Sequence, residues 1–251
     1  MASEDSDRED RTVLSLRAPA PDSQWAYGSD LEQTADVYLP QTPNGHPLVL
    51  VHGGFWRPEY DRAHLRPLAS ALARVGHPVL SVEYRRIPGE PAAALDDLAL
   101  AVDRLALAAP PGWPTQPATI IGHSAGGHLA LLLAASGHPS IGSVVALAPV
   151  ADLALAEEFA LDVDAVVAFL GGHVPAHPEF DPITRDPLVP VTIVHGARDS
   201  LVPLALAKSY SAAHRSVRVM TIADIGHFEL IDPRADAFVQ LLSVLGAAGI
   251  E

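Results

Sequence analysis

The stretch TIIGHSAGGHLALLLAAS, Thr119 to Ser136, opens as an apolar strand and closes as an apolar helix. Between the two halves stands Ser124, with glycines at 122, 126 and 127 and histidines at 123 and 128. Gly122-His123-Ser124-Ala125-Gly126 fits G-x-S-x-G, a pattern in which the serine occupies a strained strand-to-helix turn and its hydroxyl projects from the sheet. The glycines let strand and helix approach closely, and the helix N-terminus offers a partial positive charge to a developing oxyanion. The plain alternative is a tight connection with a capping serine. A strand over 118–121 and a helix over 125–136 supply the context that the chemical reading needs.

The flanking sequence repeats that alternation. HPLVLVHGG (46–54), HPVLSVEYR (77–85), IGSVVALAPV (141–150) and PVTIVHGARDS (190–200) are short apolar runs that stop at polar or glycine residues, as strands buried on both faces do. SVRVMTIADIGH (216–227) reads as a last strand and loop, and RTVLSLRAP and QTADVYLP read as edge strands. Helical spacing covers 62–76, 90–109, a segment near 156–170, 202–214 and 233–247. Strands alternating with helices predict an α/β fold with a mostly parallel sheet covered on both faces. Ligands then bind beyond the carboxyl ends of the strands. His52-Gly53-Gly54, Ser124, Asp199 and His227 all fall there.

Composition narrows the function classes. Of 251 residues, 49% are hydrophobic, enough for the core of one domain. The net charge of −14 argues against nucleic acid and anionic membrane surfaces as partners. The absence of cysteine excludes disulfides, thiolate catalysis and zinc–thiolate sites. MASEDSDREDR is acidic, without the apolar core of a secretory signal, and is expected to be a disordered tail over 1–11. No apolar run approaches the roughly 18 residues that span a bilayer, so a cytoplasmic protein is expected. Residues 12–251 are expected to form one domain, with a small cap-like insertion around 152–188. The sequence leaves room for a homodimer.

A serine hydroxyl is a weak nucleophile without a base and a group that orients the base. His227, in DIGHFEL, lies after the last strand and is the best placed of the 12 histidines. For the acid, Asp199 in HGARDSLVP follows the penultimate strand and is preferred; Asp152, Asp224 and Asp232 are rivals. An oxyanion needs N–H donors. Ala125, directly after the serine, supplies one, and the His52-Gly53-Gly54-Phe55-Trp56 loop supplies the other, with Gly54 and Phe55 preferred and Gly53 shaping the turn. His52 is expected to be a scaffold residue. Gly53, Phe55, Trp56 and His123 are expected to wall the pocket, with core packing the alternative for Trp56; His128 is expected to be buried and hydrogen-bonded. His173 and His177 lack a third ligand in register, so no metal site is expected. Arg85 and Arg86 are expected to pair with Glu83 or other local acids, an anionic substrate being the sharper alternative.

Taken in order, HGGFW, VEYR, GHSAGGHLA, HGARDSLVP and GHFELID resemble the α/β-hydrolase superfamily from about residue 25 onward. More narrowly they look like its small esterase and kynurenine-formamidase-like branch. The resemblance implies a mostly parallel twisted sheet of about eight strands with helices on both faces and a short cap. It also implies a hydrolase of carboxylic esters, or of activated amides such as aryl formamides, with Ser124, Asp199 and His227 as nucleophile, acid and base. No cofactor is implied, and the partner is a small ester or amide. A non-catalytic ligand-binding protein on the same fold is the reading from another class; such proteins usually lose one of the three residues.

Overall fold

A computed structural model of the chain describes residues 9–247. Its strands are β1 (Ser23–Ala26), β2 (Thr34–Tyr38), β3 (Leu48–Val51), β4 (Val79–Val82), β5 (Ala118–His123), β6 (Ile141–Leu147), β7 (Val191–Gly196) and β8 (Arg218–Ile222). They form one sheet in the order β1-β2-β4-β3-β5-β6-β7-β8. From β4 to β8 every pairing is parallel, whereas β2 runs antiparallel to both β1 and β4.

The helices are α1 (Arg66–Arg74), α2 (Pro91–Ala108), α3 (Ala125–Ala134), α4 (Leu153–Glu158), α5 (Ala165–Leu170), α6 (Leu204–Ala213) and α7 (Asp236–Ala247). Two apolar clusters, one on each face of the sheet, explain why the central strands read as continuous apolar runs. Val49, Val51, Leu80, Val82 and Ile120 pack with Leu98 of α2, Leu129 of α3 and Leu206 of α6. Leu48, Leu50, Val79 and Ile121 point the other way, against Leu68 and Leu72 of α1 and Leu241 and Leu245 of α7. Alternate residues of a strand face opposite sides, so a strand covered twice must be apolar throughout.

From β3 the chain crosses to β4 on one side, and β5 lies on the other side. This reversal opens a crevice beyond the carboxyl ends of β3 and β5, where Val51 pairs with Gly122. The loops after these two strands carry Gly53–Phe55 and Ser124.

Four expectations change. RTVLSLRAP is not a strand and QTADVYLP is not an edge: Thr12–Ser15 form a 3-10 turn, and Ser23–Ala26 takes the outer position, leaving β2 paired on both sides between β1 and β4. The turn buries Val13 against the α7 side of the core, which an exposed edge strand would not do. The segment near 156–170 is two short helices, not one. Ala160, Asp162, Val163 and Asp164 between them adopt positive φ, which ends the helix; Asp tolerates that conformation better than most residues, whereas it strains the β-branched Val163. In the expected disordered tail over 1–11, residues 1–8 lie outside the described residues, while Glu9 and Arg11 pack against neighbouring loops. Among the described residues, no helix is long and apolar enough to cross a membrane.

Candidate active site

Ser124 closes the corner between β5 and α3 with φ 57° and ψ −120°, a region that non-glycine residues rarely occupy. Close packing holds it there. A Cβ at Gly122 would overlap the Gly126 carbonyl, and one at Gly126 would overlap the Val51 and His52 carbonyls. Hydrogen bonds fix the corner on both sides: Ser124 N–H donates to Leu147 O at 2.8 Å, and its carbonyl accepts from His128 N–H at 3.1 Å. Ala125 opens α3, so its N–H is among those that an α-helix leaves without an internal partner.

The structure brings Asp199 and His227 together. His227 Nδ1 lies 2.7 Å from Asp199 Oδ2, and both side chains are almost fully buried. A carboxylate only accepts, so the proton of this bond sits on Nδ1 and leaves Nε2 as the imidazole's acceptor. Asp199 is itself fixed: Oδ1 accepts from Leu201 N–H at 3.0 Å and Val202 N–H at 2.8 Å. His195 Nε2 stands 3.5 Å from Oδ2 and bonds the Val202 carbonyl at 2.8 Å. The rival acids are engaged elsewhere. Asp152 caps α4 through Leu155 N–H and accepts from Ser209, Asp224 pairs with Arg198, and Asp232 pairs with Arg234.

Ser124 and His227 line one cavity of about 110 Å³ together with Gly54, Phe55, His123 and Phe228. Gly54 and Phe55 both have positive φ, at 110° and 50°, and this curls the loop after β3 over the serine. Gly53, expected in the pocket wall, does not line the cavity but packs under the corner, so close that a Cβ there would crowd Ser124 Cβ and the His123 carbonyl. His123 is a wall of the cavity; burial, and then the neighbouring His227, hold its pKa well below the usual histidine value. His64, another lining residue, is held at about 4 by burial and by nearby His52. Both walls are therefore uncharged at neutral pH.

Trp56 corrects the expectation. It does not line the cavity but stacks on Phe169 of α5 at 4.5 Å between ring centres and meets His128 edge-on at 5.1 Å. Its own φ of 56° follows that of Phe55, and the two turns carry the indole away from Ser124 into the core. His128 is buried and bonds the Phe180 carbonyl at 2.8 Å.

His52 is a scaffold residue. Its Nε2 meets Glu83 Oε1 at 2.8 Å, and Tyr84 O–H donates to its carbonyl at 2.8 Å. Burial pushes the Glu83 carboxyl up, but hydrogen bonding and charge from His52, with the charge of Arg86, outweigh it and hold the pKa at about 2. Arg86 pairs with Glu83 and Glu32, and Arg85 with Asp97 at 2.6 Å. Glu83 thus ties the loop after β4 to the one that carries Gly53 and Gly54. His173 meets Glu157 at 2.5 Å, and no group of three or more metal-ligating side chains is gathered among the described residues.

Residues from three further segments reach the cavity. Arg11 and Leu14 come from the N-terminal turn, Tyr60 from the loop before α1, and Asp162 from the turn between α4 and α5. Asp162 is held by Arg57, whose Nε lies 2.6 Å from Oδ2. Leu14 and Arg11 carry no motif, and nothing in their local pattern signals the cavity.

An eight-stranded, mostly parallel sheet with a serine on the corner after its central strand and a histidine–aspartate pair beyond its last strands defines the α/β-hydrolase class. Within that class the chain belongs to the BD-FAE family, whose model matches residues 35–213. It is 32% identical over 188 residues to an acetyl-hydrolase of Streptomyces hygroscopicus, covering 67% of this chain and 62% of that protein's length. The fold is similar to esterase B from Lactobacillus rhamnosis, with a TM-score of 0.76 at 21% identity, covering 96% of this chain and 89% of the other. It is also similar to an acetyl ester-xyloside bifunctional hydrolase from Caldicellulosiruptor lactoaceticus, with a TM-score of 0.74 at 17% identity, covering 91% and 96%.

Proposed function

We propose that the chain is a serine hydrolase that cleaves small carboxylic esters with a short acyl group. The reading rests on one observation: Ser124, on a strained corner, shares a small cavity with His227, whose Nδ1 is held by Asp199 at 2.7 Å. In the proposed reaction Ser124 Oγ attacks the ester carbonyl as His227 Nε2 takes its proton. N–H groups of Ala125 and of Gly54 or Phe55 hold the tetrahedral oxyanion. His227 then protonates the departing alcohol. Water repeats the sequence on the acyl-enzyme and releases the acid.

Two features favour a short acyl group. The cavity at the serine is only about 110 Å³. The Streptomyces relative is named an acetyl-hydrolase. The test compares p-nitrophenyl acetate, butyrate and octanoate, with an N-formyl anilide as the amide competitor, and labels the protein with a fluorophosphonate. Acetate should be turned over fastest and Ser124→Ala should abolish both turnover and labelling. Equal labelling of the Ser124→Ala protein would sink the mechanism. Preference for the N-formyl anilide would move the substrate class to activated amides.

A further inference from the structure

A single carboxylate bridges the two loops that carry Asp199 and His227, and it comes from the far N-terminal end of the described chain. Glu9 Oε1 accepts from Ser200 N–H at 2.7 Å and from Ser200 Oγ–H at 3.0 Å. Glu9 Oε2 accepts from His227 N–H at 2.7 Å. Ser200 directly follows Asp199, so one oxygen of Glu9 holds the backbone of the acid loop and the other holds the backbone of the base itself.

The surroundings fit this role. A Cβ at Gly226 would collide with Glu9 Oε2, so the glycine is what admits the carboxylate to the turn. A second carboxylate holds the same turn, Glu229 Oε2 accepting from Gly226 N–H at 2.6 Å. The segment that delivers Glu9 is docked at several points. Val13 is buried in the core, Arg234 donates to Thr12 Oγ1 at 3.2 Å, and the Arg11 guanidinium lies 5.2 Å over the Phe228 ring. This docking also sets Leu14 at the cavity.

We infer that Glu9 is a positioning residue: it locks the Asp199 loop to the His227 turn, so that the imidazole is held against the carboxylate in the orientation needed toward Ser124. It touches no reacting atom. The reason for a carboxylate is geometric. Two acceptor oxygens on one rigid plane face N–H donors from two different loops. Glutamine offers one acceptor, and its NH2 would oppose an N–H donor on the other side, releasing one loop. Aspartate carries the same pair of oxygens but, one methylene shorter, sets them back from the donors. Second-layer hydrogen bonds of this kind fix the angle of a base, to which catalysis is more sensitive than is binding.

The kinetic part of the inference rests on the proposed hydrolase reading, so the experiment carries a readout independent of turnover. Wild type, Glu9→Gln and Glu9→Asp are compared for kcat and KM on p-nitrophenyl acetate, normalised to sites titrated with a fluorophosphonate. Thermal unfolding is followed alongside. The low-field proton resonance of the His227 Nδ1–H is recorded, and it is identified by its loss in His227→Asn. The expected result is a kcat lower by on the order of tenfold to a hundredfold in both variants, with KM little changed. The low-field resonance should be broadened or lost at a temperature where the fold is intact. An unchanged kcat with an unchanged resonance overturns the inference, as does a kcat loss that vanishes on normalisation. If wild type fails to turn over any ester, the hydrolase reading falls, and the resonance alone decides the role of Glu9.

Discussion

His227 Nδ1 and Asp199 Oδ2 meet at 2.7 Å across the loops that follow β7 and β8, and the carboxylate is held on its other oxygen by Leu201 and Val202 N–H groups. Those backbone donors leave Asp199 no freedom to rotate. In Asp199→Asn the side-chain carbonyl would stay on the two N–H groups, so the amide NH2 would face His227. An NH2 facing the ring requires an unprotonated Nδ1, which puts the proton on Nε2 and, in the proposed mechanism, removes the base. Turnover should fall by on the order of a thousandfold or more with the fold retained. Asp152→Asn, which removes charge at the α4 cap, should leave turnover within a few-fold of wild type. Ester hydrolysis by both variants, with circular dichroism as the control for folding, checks the assignment; the reverse ranking would transfer the acid to Asp152.

A second expectation concerns the corner. Gly126 faces the Val51 and His52 carbonyls with no room for a methyl group. In Gly126→Ala the helix must move off β3 or the serine must leave its φ of 57°. Forcing a methyl into a packed core typically costs about 1–3 kcal/mol. Urea unfolding should register that loss, and turnover should fall as well, because Ser124 and the loop after β3 separate together. A variant as stable and as active as wild type would show that the corner is looser than this packing implies.

The limits of the sequence lie where the contacts are not local. The core strands and the places of Ser124, Asp199 and His227 are legible because two-sided burial makes apolar runs, and the chain leaves the sheet at glycine or polar residues. Trp56 is different. HGGFW places it next to Phe55, but successive positive φ values send the two rings to different destinations, and no pattern in the sequence encodes that. Glu9 is harder still, since its partners lie 191 and 218 residues away and are mostly backbone N–H groups. A charged stretch without periodicity looks the same whether it is solvated or docked.

The Arg57–Asp162 pair yields a third expectation. The two side chains are 32% and 40% exposed, so the ion pair itself should stabilise the fold by less than about 1 kcal/mol. Its position is what counts: it ties the strained turn at 160–164 to the loop after β3, and Asp162 borders the cavity. Arg57→Ala should leave the unfolding midpoint nearly unchanged but relax acyl-chain selectivity, lowering the acetate-to-octanoate ratio of kcat/KM several-fold. A ratio equal to that of wild type would mean that the turn does not limit the cavity.

The buried histidines set the pH dependence of stability. Burial holds the His128 pKa at about 4, against about 6.5 when unfolded, and the bond to the Phe180 carbonyl opposes this only in part. Burial also lowers His123 and His195, the latter against the opposing charge of Asp199. Each is a base whose folded pKa lies below its unfolded value. Between the two values the unfolded chain binds more protons, so stability is full above about pH 6.5 and falls as the pH drops toward 4. Carboxylates with lowered pKa, such as Glu83 at about 2, lose their contribution only below about pH 4.5. Asp181, raised by burial, runs the other way and offsets a little of the loss. For His128 alone the shift corresponds to about 3 kcal/mol. Urea unfolding of wild type at pH 4.5, 5.5, 6.5 and 7.5 should therefore show stability rising steeply and then levelling. In His128→Gln the slope over the acid range should shrink by up to one proton, and an unchanged slope would place the titrating group elsewhere.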